Sequence, residues 1–198
     1  DRIIARDAPG YGISGLRNGT LADYVATATG LLAALDVEHV NILGHSMGGV
    51  IAQGMAGSEG VEVDKLILSS TFMGHGEPLA EPLQAGYISR LDDITSMSPE
   101  EFGRARAKSM LASPPSEEIF QEVAKIASEV KKSGLLSACE VLNYSDTSPF
   151  LKGFTKPVLI ITGRHDKIIL PTRSSKMAAY IADVQHIEFE NSGHAAYL

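Results

Sequence analysis

The sequence predicts an α/β fold, in which a mostly parallel sheet is flanked by helices and interrupted by an all-helical insertion. Short β-branched or apolar runs alternate with helical patterns at both ends of the 198-residue chain, and this alternation with short links is typical of parallel sheets. From about residue 72 to residue 154 no β-branched run occurs and helical patterns follow one another. We therefore predict a core of residues 1–71 and 155–198 with a helical cap insertion of residues 72–154.

The first part of the chain contains a predicted strand, a loop and a helix. RIIAR, residues 2–6, is typical of a short strand. After a loop rich in Gly and Pro, Thr20 is placed as a helix N-cap with Asp23 at the third helical position. The helix follows from apolar residues that recur at spacings of three and four, namely Leu21, Tyr24, Val25, Ala28, Leu31, Leu32 and Leu35.

The remaining elements continue the same rhythm around the insertion. HVNILG, SMGGVIAQGMAG and KLILSS predict a strand, a helix and a strand, and PVLIITG, TRSSKMAAYIA and VQHIEFE predict the same order near the end. Inside the insertion, SPEE at 98–101 is typical of a helix start, with Ser as N-cap and Pro at the first helical position. A later helix is predicted from one apolar stripe: Ile119, Val123, Ile126 and Val130.

Composition and charge exclude several partner classes. A net charge of −7 without a dense Lys and Arg cluster argues against nucleic acid and anionic membranes. The longest apolar stretch, LADYVATATGLLAAL, is too short and too polar to span a bilayer. Cys139 is the one cysteine, so no disulfide can form within the chain, and we expect a cytoplasmic protein.

The stretch GHSMGG, residues 44–49, carries the strongest chemical signal. It contains GxSxG between a predicted strand and a predicted helix, which is typical of a nucleophile elbow. Gly44 and Gly48 are expected to let the strand and helix pack closely, and Gly49 to allow a still closer approach. The turn places Ser46 at a helix N-terminus, where the Met47 backbone N–H is expected to stabilise an oxyanion.

With these motifs the chain resembles the α/β-hydrolase fold family from end to end. A serine nucleophile needs a base and an orienting acid. In that family the nucleophile, the acid and the His follow one another in this order along the chain. The resemblance therefore implies Ser46 as the nucleophile, Asp166 in PVLIITGRHDKIILP as the acid and His194 in VQHIEFENSGHAAYL as the base. Both partners follow predicted strands, at the sheet edge where Ser46 is expected. Asp183 precedes its strand and is therefore a weaker candidate for the orienting acid. The other five His, including His45, are weaker candidates for the base.

Metal and nucleotide sites are not expected. The chain has no HExxH motif, no cysteine cluster and no P-loop, so we predict neither a metal nor a cofactor. GYGISG at 10–15 spells GxGxxG, but no helix opens at its third glycine. The stretch resembles instead the DxPGxGxS loop of many α/β-hydrolases, matched by Asp7, Pro9, Gly10, Gly12 and Ser14.

The resemblance implies a serine hydrolase that cleaves a small, apolar carboxylic ester, thioester or lactone. The same pattern also fits a hydrolase of carbon–carbon bonds in ring-cleavage products, an acyltransferase, or a slow-turnover receptor or scaffold on this fold. A small-molecule substrate is the expected partner, and the oligomeric state stays open. Five residues of the insertion either line an apolar pocket or form the core of the cap: Phe72, Met73, Met97, Phe102 and Met110.

The resemblance also predicts pieces outside this chain. The family's HG-type loop, which donates the second oxyanion N–H, would precede Asp1, and a final helix would follow Leu198. We therefore expect a chain truncated at both ends, and an inactive or unstable protein if it stands alone.

Overall fold

A computed structural model describes residues 2–16, 19–112 and 114–198 of the chain. The four strands are β1 (His39–His45), β2 (Glu62–Ser69), β3 (Val158–Gly163) and β4 (Val184–Phe189). The eight helices of the described residues are α1 (Leu21–Ala34), α2 (Met47–Ala56), α3 (Ala85–Ser96), α4 (Pro99–Met110), α5 (Glu117–Ser128), α6 (Lys132–Tyr144), α7 (Ser148–Gly153) and α8 (Pro171–Ala178).

The strands form one parallel sheet in the order β1-β2-β3-β4. The predicted α/β class is therefore confirmed, and α3 to α7 all lie in the chain between β2 and β3. Because parallel strands end at a common edge, the segments that follow β1, β3 and β4 meet there. The division into two domains at residues 72 and 154 stays a prediction.

Alternate residues of the strands form the main core. Leu66 and Leu68 of β2 and Ile160 of β3 are fully buried against Met177 of α8 and residues of α2 and α7. Leu43, which points from β1 to the opposite face of the sheet, is 65% exposed. The helices thus cover the face formed by Leu66, Leu68 and Ile160.

The predicted helix starts are confirmed. The Thr20 hydroxyl accepts the backbone N–H of Asp23, and the Asp23 carboxylate accepts the N–H of Thr20, which is a capping box at the start of α1. Ser98 and Glu101 form the same reciprocal arrangement at α4, with Pro99 at the first helical position.

One prediction about local structure is wrong, and one predicted helix is present with part of its apolar stripe exposed. Residues 2–6 are not a strand, because their backbone has no ladder partner among the described strands, and Ile3 is 93% exposed. The helix predicted from the apolar stripe is α5, but Ile126 of that stripe is 61% exposed. Helix α5 packs on α4 through the buried Val123 and Ala124, with Ile119 and Phe120 partly buried beside them.

The segment GYGISG is a tight loop, as predicted. Gly10 and Gly12 both have positive φ, at 83° and 51°, and the Tyr11 N–H donates to the Ala8 carbonyl. A Cβ on Gly10 would lie 2.8 Å from the Cα of Gly134 in α6, so the loop and this helix touch backbone to backbone. The described part of the loop leads into no helix before residue 21.

Candidate active site

Ser46 lies at the turn between β1 and α2. Its φ of 53° and ψ of −122° are strained for a residue with a side chain. The Ser46 N–H donates to the Ser69 carbonyl at 3.0 Å, and the Thr71 hydroxyl donates to the Ser46 carbonyl at 2.6 Å. The end of β2 and the residues just after it therefore hold this turn in its strained conformation.

The glycines around Ser46 have different roles. A Cβ on Gly44 would lie 2.5 Å from the Gly48 carbonyl oxygen, and one on Gly49 would lie 2.5 Å from Thr71. A Cβ on Gly48 would meet no described atom within 4 Å, so the prediction that Gly48 is required for close packing is wrong. The Cα–Cβ directions of successive helical residues differ by about 100° around the helix axis. Gly48 and Gly49 therefore face different surroundings, and only Gly49 of the two faces Thr71.

The structure brings the three residues of the predicted triad together. His194 Nε2 lies 2.9 Å from Ser46 Oγ, and His194 Nδ1 lies 2.8 Å from Asp166 Oδ2. Asp166 and His194 are each 3% exposed. The imidazole thus bridges a hydroxyl and a buried carboxylate, which is the geometry of a base oriented by an acid.

Asp166 is fixed by its own loop. Its Oδ1 accepts the backbone N–H of Ile168 at 2.8 Å and that of Ile169 at 2.9 Å. The two oxygens therefore have separate tasks, because Oδ1 holds the loop and Oδ2 holds the imidazole of His194. Asp183, the alternative acid, is exposed at the start of β4.

The His194 loop is held by the end of helix α4. The N–H groups of His194 and Ala195 donate to the Met110 carbonyl at 2.7 and 3.3 Å. The neighbouring Gly193 lies so close to Met110 that a Cβ there would be 2.6 Å from the same carbonyl oxygen. Sequence reasoning missed this backbone acceptor, because a carbonyl leaves no mark on residue type.

His45 packs against the imidazole of His194. The two ring centroids are 4.9 Å apart, and the Tyr197 ring meets His45 edge-on at 5.0 Å. Burial, followed by the nearby His194, lowers the pKa of His45 from 6.5 to about 4. Its Nε2 is buried without a hydrogen-bond partner among the described residues. His45 is therefore a neutral neighbour of the triad.

Met47 is the first residue of α2, directly after Ser46. The first N–H groups of a helix have no partner inside that helix and face a developing anion at its N-terminus. This position matches the one predicted for an oxyanion donor.

The predicted apolar residues of the insertion differ in burial. Phe72 and Phe102 are 4% and 3% exposed and belong to one buried cluster with Tyr87 and Cys139, whereas Met97 is 36% exposed. Met47 packs against this cluster. The Phe pair is thus part of the core between the insertion and the sheet edge.

A cavity of about 670 Å³ lies elsewhere, between the start of α1 and the ends of α2 and α6. Its lining contains none of Ser46, Asp166 and His194. Within the described residues no cluster of three or more His, Cys, Asp or Glu side chains could hold a metal ion. In the same residues no helix is both long and apolar enough to cross a membrane.

Comparison with known proteins gives consistent matches. A model described as the alpha/beta hydrolase family matches residues 1–198. The AB hydrolase superfamily protein YisY of Bacillus subtilis is 30% identical over 209 residues, which is 99% of this chain and 75% of that protein. The 2-hydroxymuconate semialdehyde hydrolase of Pseudomonas sp. CF600 is 29% identical over 98% of this chain and 70% of its own length.

Solved structures share the fold. The enol-lactonase from Burkholderia xenovorans LB400 has a TM-score of 0.81 at 22% identity, covering 96% of this chain and 72% of that one. An esterase from Exiguobacterium antarcticum has a TM-score of 0.84 at 23% identity, covering 97% and 74%.

Proposed function

Since this chain belongs to the alpha/beta hydrolase family, we propose that it is a serine hydrolase that works through an acyl-enzyme on Ser46. The observation that carries the proposal is the continuous contact from Ser46 Oγ to His194 Nε2 and from His194 Nδ1 to Asp166 Oδ2, at 2.9 and 2.8 Å. The buried state of Asp166 and His194 supports it, because a pair shielded from water keeps its orientation.

The proposed reaction has two halves. In the first, His194 Nε2 takes the hydroxyl proton of Ser46 as Oγ attacks the substrate carbonyl, and the protonated imidazole then gives that proton to the leaving group. In the second, His194 Nε2 takes a proton from water as the water oxygen attacks the acyl carbon, and it then gives that proton to Ser46 Oγ as the acyl–oxygen bond breaks, which releases the acid and restores the Ser46 hydroxyl. Asp166 keeps the proton on Nδ1, so that Nε2 is free to act as base.

Met47 is the proposed donor to the oxyanion. Its N–H starts α2 next to the attacking oxygen, where a negative charge develops. A backbone donor of this kind is typically worth about 100- to 1000-fold in turnover.

The proposed substrate is a small, apolar carboxylic ester, thioester or lactone. An esterase and an enol-lactonase share the fold, and buried aromatic residues line the region between Met47 and the insertion. We also propose that residues 72–154 act as a cap. This is supported by the Met110 carbonyl of that segment, which accepts the backbone N–H groups of His194 and Ala195.

A second candidate is the hydrolysis of a carbon–carbon bond. Relatives that cover 98% of the chain are a 2-hydroxymuconate semialdehyde hydrolase at 29% identity and a 2-hydroxy-6-oxononadienedioate/2-hydroxy-6-oxononatrienedioate hydrolase of Cupriavidus pinatubonensis at 28%. The same Ser46 and His194 would serve the hydrolysis of a carbon–carbon bond next to a carbonyl group.

The decisive test is labelling of the purified protein with a fluorophosphonate probe. We expect one label on the wild type and none on Ser46→Ala, while Ser58→Ala, two residues beyond the end of α2, labels normally. Label retained in Ser46→Ala would refute the nucleophile. A wild type that takes no label would favour a receptor or scaffold on this fold.

Substrate class is tested separately. p-Nitrophenyl esters of rising chain length are compared with a vinylogous 1,5-diketone at equal concentration. Faster turnover of the esters supports the first candidate, and faster turnover of the diketone supports the second. Acyl transfer to an added alcohol that outpaces hydrolysis would indicate an acyltransferase.

A further inference from the structure

One buried side chain of helix α2 contacts both ends of the insertion. Gln53 is fully buried, and it is the one polar side chain of α2, MGGVIAQGMA. Its Nε2 donates to the Gly49 carbonyl at 3.0 Å and to the Phe72 carbonyl at 3.1 Å, and its Oε1 accepts the Thr147 hydroxyl at 2.6 Å. Phe72 begins the predicted insertion, and Thr147 directly precedes α7, its last helix.

The amide of Gln53 has one orientation that satisfies its partners. Both protons of its NH₂ group are accepted by carbonyl oxygens, and its own oxygen accepts a hydroxyl proton. A reversed amide would place its oxygen against the carbonyl oxygens of Gly49 and Phe72. Burying an amide is costly unless it is hydrogen-bonded, and a fully satisfied buried polar group specifies a single arrangement. Gln53 therefore fixes where Phe72 and Thr147 lie relative to α2.

The two ends of the insertion are also bonded to each other. The N–H of Thr147 donates to the Met73 carbonyl at 2.9 Å. Beyond this bond, the backbone N–H groups of residues 75–77 donate to carbonyls of residues 142–145 at 2.9 to 3.0 Å. The chain that enters the insertion and the chain that leaves it are therefore one connected structure, and Gln53 joins that structure to α2. We call residues 72–77 and 142–147 the stalk of the insertion.

The carbonyl just before the stalk is held by a different helix. The buried Ser174 hydroxyl of α8 donates to the Thr71 carbonyl at 2.6 Å, and the Thr71 hydroxyl donates to the Ser46 carbonyl at 2.6 Å. Ser174 thus supports the turn that carries the nucleophile, whereas Gln53 supports the stalk. Because two separate side chains hold these neighbouring carbonyls, the position of the insertion and the position of Ser46 can be disturbed independently.

Phe72 links the stalk to the neighbourhood of the nucleophile. Its carbonyl accepts from Gln53, and its side chain belongs to the buried cluster on which Met47 packs, directly after Ser46. Without Gln53, the Phe72 carbonyl and the Thr147 hydroxyl each lose a buried partner, so the stalk and the apolar cluster are free to shift. A displacement of about 1 Å in the groups that hold a substrate can cost about 100-fold in rate.

From this arrangement we propose that Gln53 is a positioning residue that sets the insertion over Ser46 and thereby the length of the acyl chain that the site accepts. The inference rests on the proposed function and concerns the acyl side of that same site. An acyl chain long enough to contact the insertion is held less well when the stalk shifts. An acetyl group is too short to make that contact, so its hydrolysis depends on Ser46 and its own support.

The test compares p-nitrophenyl acetate with p-nitrophenyl octanoate in the wild type and in Gln53→Met. Methionine is similar in length to glutamine but donates no hydrogen bond. We expect kcat/KM for the octanoate to fall by about 10- to 100-fold, mainly through KM, while the acetate value changes by less than about twofold. Any unfolded fraction lowers both values alike and cancels in their ratio. A fall of the octanoate-to-acetate ratio by less than about fivefold overturns the proposal.

Ser174→Ala is the matched control, because it also removes a buried hydrogen bond to a carbonyl of this segment. We expect it to lower kcat/KM for both esters by the same factor, since it acts on the turn at Ser46. A ratio that falls equally in Ser174→Ala would show a general loss of packing and refute the role of Gln53. Thr147→Val keeps the side-chain shape and removes the hydroxyl that donates to Gln53. If Gln53→Met does not fold, Thr147→Val decides by the same criterion.

Hydrogen exchange followed by mass spectrometry separates this proposal from the proposed function, because it needs no turnover. In Gln53→Met the backbone N–H groups of the stalk should exchange at least about tenfold faster than in the wild type, while those of β3 keep their protection. In Ser174→Ala the stalk should exchange as in the wild type. Faster exchange confined to the stalk supports Gln53 as the residue that fixes the insertion, even if Ser46 takes no fluorophosphonate label. If the label is taken but exchange of the stalk is unchanged, the proposal is refuted and the hydrolase stands.

Discussion

Replacing Asp166 by Asn tests how the buried carboxylate supports His194. In the folded protein Oδ1 of Asp166 accepts two backbone N–H groups, from Ile168 and Ile169, and Oδ2 faces His194 Nδ1 at 2.8 Å. An Asn at this position keeps its carbonyl oxygen toward the two N–H groups, because a reversed amide would bring donors against donors. Its NH₂ group then points at Nδ1 of His194.

The consequence is a change of tautomer. Nδ1 of His194 must accept from the Asn amide, so the ring proton moves to Nε2, which lies 2.9 Å from Ser46 Oγ. A protonated Nε2 can donate to the hydroxyl but cannot take its proton. An exchange of this kind costs a Ser-His-Asp hydrolase about 10⁴ in kcat, or about 5.5 kcal/mol in activation free energy.

The assay is steady-state hydrolysis of a p-nitrophenyl ester at pH 7, with urea unfolding as a check on folding. Asp183→Asn is the matched control, since Asp183 is exposed and precedes β4, and we expect it to keep the wild-type rate. The reasoning is refuted if folded Asp166→Asn loses less than about tenfold.

Two other perturbations test the packing around Ser46. Gly49→Ala places a Cβ 2.5 Å from Thr71 and should lower the free energy of unfolding by about 1 to 3 kcal/mol. The Cβ of Gly48→Ala meets no described atom within 4 Å, so this variant should have an unchanged free energy of unfolding or one raised by up to about 1 kcal/mol. Equal midpoints of urea unfolding for the two variants would contradict this expectation. Folding lowers the pKa of His45 from 6.5 to about 4. As the pH falls, the unfolded chain therefore takes up a proton at His45 at a higher pH than the folded protein does. The free energy of unfolding is not reduced by His45 above pH 6.5, and it decreases as the pH falls from 6.5 toward 4. His45→Phe removes this pH dependence, so between pH 7 and pH 4 the free energy of unfolding should fall by about 3 kcal/mol more in the wild type than in the variant. If the free energies of unfolding of the two proteins change with pH in parallel, His45 makes no such contribution.

The positions of the triad residues could be predicted because each follows a strand. Ser46, Asp166 and His194 come after β1, β3 and β4, and parallel strands end at one edge of the sheet. The alternation of apolar runs therefore indicates which loops meet, although it gives no distances. Their catalytic roles stay a prediction that the labelling experiment tests.

The supporting contacts could not be predicted, because they depend on three-dimensional approach. The Thr71 hydroxyl and the Met110 carbonyl reach Ser46 and His194 from segments that carry no motif. Gly48 matched the glycine pattern of the elbow, yet it faces open space. Local pattern also failed for residues 2–6, because a strand forms only where another strand lies beside it.

The backbone contact between Gly10 and Gly134 has a consequence for protein engineering. No side chain separates the loop from α6, and the loop is further tied by Lys131 Nζ, which donates to the Gly12 carbonyl at 2.8 Å. Tyr24 of α1 adds a third link, because its hydroxyl donates to the Pro9 carbonyl of the loop at 3.2 Å and lies 2.8 Å from the Ser137 hydroxyl of α6. A chimera that receives residues 72–154 from a relative should therefore also receive the segment of that relative that corresponds to residues 7–16, because the loop and α6 fit each other backbone to backbone.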